Sequence, residues 1–243
     1  MSRYQLRRTL AAALILLVAA HALLAAREGL SNLFAHMAYL ELTPAASIIP
    51  AKPTTAATAE AAAVRSARAM QNLETSLRHS PRNAWTLEML GAEQLRQARR
   101  HAQSGDILSA LNARTAARSA STHFHQALLE RPTTPFIWAN LALSKLQLGE
   151  IDAELFQILR WADELGPWEP DVQNIVIEAS LIGWAKMEPD QREAVVRTML
   201  RGAQRDPGNI AKIAKRFNRL DLLCAINLEK SVSGSACGPG TNK

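Results

Sequence analysis

The residues in this chain that could do chemistry are few, and most sit at the wrong spacing. His123 and His125 are two apart. On a helix that offset points the imidazoles to different faces, which makes a poor metal pair and leaves them as solvent-facing or capping groups. Asp152 with Glu154, and Asp163 with Glu164, fail the same geometric test for paired acid and base carboxylates. No Gly-rich phosphate loop follows a strand, and no nucleophile elbow or zinc-protease motif occurs. Cys224 has no base near it in sequence. The sequence therefore predicts no catalytic site, no metal and no cofactor, and the chain is not expected to be an enzyme.

Two other groupings invite a role. Arg197, Arg201 and Arg205 repeat every four residues, Lys212, Lys215, Arg216 and Arg219 share one helical face, and Arg96, Arg99 and Arg100 cluster. Such stripes attract anionic headgroups or an acidic polymer; the alternative is a solvated helix face. Cys224 and Cys237 have no zinc-type spacing, but in an extracytoplasmic compartment they could pair and fasten the tail to the last helix. The alternative is one buried thiol and one on a loose tail.

The elements that must position these groups are helical. Of the 243 residues, 48% are hydrophobic, with alanine and leucine dominant and aromatics only 5%, a composition that favours helix over sheet. From residue 59 onward the apolar spacing predicts helices over 59–79, 83–103, 106–130, 136–148, 151–165, 170–186, 190–205 and 209–227. The breaks fall at proline or glycine, which forbid or end helices. Residues 43–58 contain three prolines among small residues and read as a semi-extended linker.

The first 42 residues are different. Residues 9–26 are 18 in a row without a charge, a helix of ~27 Å against a hydrocarbon core of ~30 Å. Arg3, Arg7 and Arg8 precede the run, while Arg27 and Glu28 cancel after it. Half of the +6 net charge is thus an orientation signal, which puts the N-terminus in the cytoplasm and the rest outside. The remaining basicity is too slight and too dispersed for a nucleic-acid reading. A cleaved signal peptide is the rival, since Ala20-His21-Ala22 fits a cleavage site. Against cleavage, the apolar run continues to Ala26, and Leu30, Leu33, Phe34, Met37 and Leu40 then follow at helical spacing. One long helix leaving the membrane explains this better. His21 reads as a neutral imidazole near the outer interface.

A repeat lies behind the helices. Ala120, Phe124, Ala127 and Pro132 have the spacing of the second helix of a tetratricopeptide (TPR) unit, and Trp138, Leu141, Ala142 and Gly149 that of the first helix of the next. Trp138 is expected to fill the space between the two helices, with Ala142 at their close approach. Ile158, Trp161 and Pro167 continue the pattern loosely. Pro132, Pro167 and Pro207 lie 35 and 40 residues apart, against a TPR period of ~34. The expected fold is all-α: an N-terminal transmembrane helix (membrane contact over 9–26, amphipathic extension to 42), the linker 43–58, a TPR-like helical-hairpin (α-solenoid) domain over 59–230, and a flexible tail over 231–243.

Residues 131–149 (RPTTPFIWANLALSKLQLG) and 165–170 (LGPWEP), with Gln173 and Trp184, resemble VpsP-like proteins encoded with bacterial exopolysaccharide biosynthesis systems. The likeness covers about residues 115–227, includes Leu222-Leu223-Cys224, and has Pro135 and Trp138 in pattern. It implies an inner-membrane-anchored accessory protein with a periplasmic TPR-like domain. Such a protein assists surface polysaccharide synthesis or export beside an integral membrane polymerase, ligase or exporter, and is not a glycosyltransferase. No catalytic residues carry over. Trp168 in LGPWEP packs across a repeat junction or contacts a partner, and with Arg197, Arg201 and Arg205 it completes the expected contact residues. Assembly of another envelope complex (pilus, secretion or cytochrome maturation) and glycan binding are the alternative functions.

Overall fold

The computed structural model describes residues 3–43 and 56–225. These form α1 (Arg3–Leu42), α2 (Ala56–His79), α3 (Ala84–Ala102), α4 (Ile107–Glu130), α5 (Pro135–Leu148), α6 (Ala153–Leu165), α7 (Pro170–Gly183), α8 (Pro189–Arg205), α9 (Pro207–Arg216) and α10 (Leu220–Ala225). A 3-10 turn, Trp184–Lys186, follows α7. Among the described residues there is no strand. The chain divides into two compact units at Glu93/Gln94, inside α3.

In the first unit, α1 is one uninterrupted helix of 40 residues. Its stretch from Leu10 to Leu42 is long and apolar enough to cross a membrane. The C-terminal half of α1 packs along α2. The packed face is small: Ser31, Ala35 and Ala38 are fully buried. Ala38 joins Ala69, Leu73 and Leu90 in a core cluster, with Leu42 and Met70 packed against it. Small side chains let two helix backbones approach closely, so this face covers much area with few atoms. Polar contacts fix the register. Ser31 Oγ lies 2.9 Å from Ser76 Oγ, and Ser80 Oγ donates to Glu28 Oε1 at 2.8 Å. Asn83 Nδ2 donates to Asn32 Oδ1 at 3.0 Å. Of the apolar stripe seen in the sequence, only Phe34 turns toward α2, stacking on His79. Leu30, Leu33, Met37 and Leu40 stay exposed.

In the second unit the helix ends follow the punctuation. Asp106 caps α4 by accepting from Ser109 N, and Asp152 caps α6 by accepting from Leu155 N. Pro135, Pro170, Pro189 and Pro207 open their helices, where the missing N–H costs nothing. Gly149 ends α5 at φ 77°, a left-handed backbone that favours glycine. Ala113, Ala117, Ala120, Phe124 and Ala127 line the buried face of α4, and Ile137, Leu141 and Ala142 that of α5. Beyond these, α5 touches both α6 and α7, and α7 touches both α8 and α9. First helices of successive hairpins therefore stack on one another, the arrangement of a TPR-like solenoid.

Two local expectations are revised. The last predicted helix, 209–227, breaks into α9 and α10. Asn218 adopts φ 55° there, and Arg219 N returns to Ala214 O at 2.8 Å. Asparagine is the residue besides glycine that tolerates this turn, so a helix can end without either glycine or proline. Trp138 is only half-buried. Its indole stacks with Trp161 of α6 at 6.3 Å between centroids, and its Nε1 donates to Pro132 O at 2.7 Å. The deep aromatic position before it is that of Phe124 on α4, which is 0% exposed.

Candidate functional site

The site is built from the first helices of the hairpins. Asn140 on α5, Asn174 on α7 and Asn209 on α9 stand 34 and 35 residues apart, one per unit. Each falls in the outer part of a proline-opened helix, and all three are half-buried. Asn140 and Asn174 line one open groove of about 410 Å³ together with Phe136, Asp171, Ile175 and Glu178, with Arg99 at its edge. Asn209 Nδ2 donates to Asn174 Oδ1 at 2.9 Å, which extends the row onto α9. Glu178 pairs there with Arg216.

These amides retain hydrogen-bonding capacity. The Asn140 side chain makes no hydrogen bond among the described residues, and Asn174 uses only its oxygen. A carboxamide both donates and accepts, so it can hold the N–H and C=O of a peptide backbone whatever the peptide's sequence. Stacked helices lie 8–10 Å apart, about three residues of extended chain at ~3.3 Å each. Asn140 and Asn174 thus match peptide units about three residues apart, while Asn209, bonded directly to Asn174, braces the second amide. Phe136, 37% exposed, and Ile175 supply apolar contact beside the row, and Asp171 and Arg99 supply charge of both signs. The sequence reading missed this row. Its signal was present, as an asparagine recurring at the repeat period.

A second opening, about 330 Å³, lies between α6 and α8 over α7. Phe156, Leu159, Val176 and Val195 form apolar walls, and the buried Ser180 Oγ has no hydrogen-bond partner among the described residues. The expected contact residues distribute themselves around it. Arg197 lines the opening and pairs one turn back with Glu193 at 2.7 Å. Arg201 is held inside: its Nη2 reaches Asp163 Oδ2 at 2.6 Å, and Thr198 Oγ1 donates to the same carboxylate at 2.9 Å. Arg205 Nη1 donates to Trp168 O at 3.3 Å. The structure thus brings Arg205 and Trp168 together, and Trp168 presents its ring with 63% exposure. The three arginines share a helix face as their spacing requires, but neighbouring acids on α6 and α8 engage two of them.

A third cluster was not expected. Lys145, only 4% exposed, places Nζ at 2.6 Å from Glu154, 3.1 Å from Asp152 and 3.3 Å from Glu150. Asp152 and Glu154 do converge, because Asp152 is the N-cap and its extended backbone escapes the helical offset that would separate them. Burial pulls the Lys145 pKa down, but the hydrogen bonds it donates to Glu154 and Asp152 outweigh it and hold the value above the ordinary one. The Lys145 hydrogen bond lowers Glu154. Burial raises Asp152, yet the Leu155 N–H and Lys145 leave it lowered on balance. The result is a structural knot at the α5–α6 turn, in which one buried ammonium holds three carboxylates together.

The histidines diverge as their spacing predicts. His123 Nδ1 contacts Gln94 Oε1 and Ser119 O, both at 2.9 Å, while His125 faces Glu154 at 3.7 Å. Burial depresses the His123 pKa. The proposed Cys224–Cys237 bond, like the tail 231–243, lies outside the described residues.

Comparison with protein-family models gives no match to this chain, and comparison with curated proteins gives none. The fold and site themselves define a class: an all-helical hairpin-repeat protein with one N-terminal helix able to span a membrane and a polar groove on its stacked first helices.

Proposed function

We propose that this protein is a membrane-anchored, extracytoplasmic TPR-like scaffold, single-pass in a bacterial inner membrane with its N-terminus in the cytoplasm. Its groove holds an extended segment of an integral membrane protein engaged in surface polysaccharide synthesis or export, and it acts without catalysing a reaction itself. The observation that carries the binding role is the row Asn140, Asn174 and Asn209 on three stacked helices, two of them with unused amide donors. The uncharged run over 9–26 and the arginines before it support the placement. The polysaccharide setting rests on the likeness of residues 131–149 and 165–170 to VpsP-like proteins.

The test is gentle solubilisation of native membranes and recovery through the C-terminus, comparing wild type with Asn140→Ala/Asn174→Ala. Wild type is expected to bring down a polysaccharide polymerase, ligase or exporter, and the double variant at least ten-fold less of it. Each substitution removes one or two hydrogen bonds of about 1 kcal/mol net. Equal recovery by both proteins overturns the groove. Recovery only of unrelated envelope machinery overturns the polysaccharide setting.

A further inference from the structure

The outer half of α1 has two faces. One, through Ser31, Ala35 and Ala38, is buried on α2. The opposite face carries Leu30, Leu33, Met37 and Leu40, exposed by 43%, 53%, 43% and 61%. Their spacing is three, four, three. The same alternation runs back into the apolar stretch through Leu23 and Leu16, with alanine at the two intervening positions. Beyond Ala26 the apolar seam keeps a 3.5-residue spacing for about one and a half heptads, and the uniformly apolar run before it admits the same register, the pattern of a coiled coil. A helix meeting only lipid has no need of that period.

Lipid does not cover the outer part of this seam. At 1.5 Å per residue, Leu40 stands ~21 Å beyond Ala26, while the headgroup layer adds only about 5–7 Å on each side. Leu33, Met37 and Leu40 therefore project past the membrane into water, on a helix whose other side α2 already occupies.

We propose that a second copy of this chain covers this seam, forming a parallel, in-register coiled coil of two α1 helices that begins in the membrane and continues outside it. The inference rests on the reading of α1 as a membrane anchor. Two copies inserted the same way are parallel and level, so each seam meets its own equivalent, as a two-fold interface requires. The flanking polar residues also fit a second copy. In a parallel pair the residue just before one seam position faces the residue five further along on the partner helix. That rule sets His36 against Glu41 of the second copy, twice by symmetry. Both residues lie outside the small-residue face buried on α2, with His36 exposed and Glu41 half-buried.

The experiment uses the full chain in native membranes, with Cys224 and Cys237 replaced by serine and single cysteines at Leu33→Cys, Leu40→Cys or, off the seam, Asn32→Cys. Mild oxidation is expected to give a disulfide-linked dimer of this chain from Leu33→Cys and Leu40→Cys, at least five-fold more than from Asn32→Cys. Adding His36→Glu to Leu40→Cys is expected to reduce that dimer several-fold, and adding Glu41→His as well to restore it. Equal cross-linking at all three positions, none at the seam, or adducts only to a different protein overturns the proposal. Alkaline carbonate washing of the same membranes separates the two readings. Release of the protein sinks the anchor itself, whereas retention without seam cross-links sinks only the pairing.

Discussion

Lys145 shows how much a single position can hold. Its ammonium is buried while its three carboxylate partners remain about half exposed, so its removal leaves repelling but still hydrated charges. Lys145→Met is expected to cost about 1–3 kcal/mol in urea unfolding at pH 7, less than for a fully buried pair. The pH dependence follows from the shifts. Asp152 and Glu154 are lowered, so their contribution is complete above their ordinary values of 3.8 and 4.5 and fades as pH falls through the lower folded values. Lys145 is raised, so its contribution is complete below 10.5 and is lost only in strong alkali. The gap between wild type and Lys145→Met should therefore be flat from pH 6 to 9 and shrink below about pH 4. His123 acts in the opposite sense. Its folded pKa lies below the ordinary 6.5, so the unfolded chain binds the proton better and acidification through 6.5 destabilises the fold. His123→Gln should flatten the fall in unfolding midpoint between pH 7 and 5. The Lys145 cluster was not legible in the sequence because a rule for helix faces was applied to Asp152, which is a cap. The asparagine row was legible but needed alignment of the three units, and the units share few other residues.

At the scale of the elements, proline and glycine made most helix boundaries readable, since their backbone chemistry acts locally. What they could not show is which face of a helix is covered, because that depends on the neighbour. The small residues Ser31, Ala35 and Ala38 look unremarkable in sequence beside Leu30 and Leu33, yet they form the packed face. The turn at Asn218 was missed for a similar reason: no strong breaker marks it. The repeat itself depends on close approach. Phe124, 0% exposed on the buried face of α4, is such a position, and Phe124→Ala is expected to cost about 3–5 kcal/mol by calorimetry or urea titration. A Cβ at Gly183 would lie 2.8 Å from the Phe156 ring. Gly183→Ala should therefore lower stability by about 1–3 kcal/mol despite alanine's better helix propensity, because the buried ring has to shift.

At the scale of the whole molecule, an apolar helix that can span a membrane comes first in the chain, and a stack of hairpins whose first helices present a polar groove follows it. In the proposed function, the tether fixes the scaffold at one surface and the groove offers backbone-directed contacts to a protein partner. The proposed function rests on placement and surface, with no arrangement of acid, base or nucleophile invoked. The most direct measurement is site-specific photo-cross-linking in living cells from Phe136, inside the groove, and from Gln157, on the opposite opening. The account predicts an adduct from Phe136 to an integral membrane component of surface polysaccharide synthesis or export, lost in Asn140→Ala/Asn174→Ala and weak or absent from Gln157. An adduct from Gln157 with none from Phe136, or a Phe136 adduct indifferent to loss of the asparagines, would contradict it.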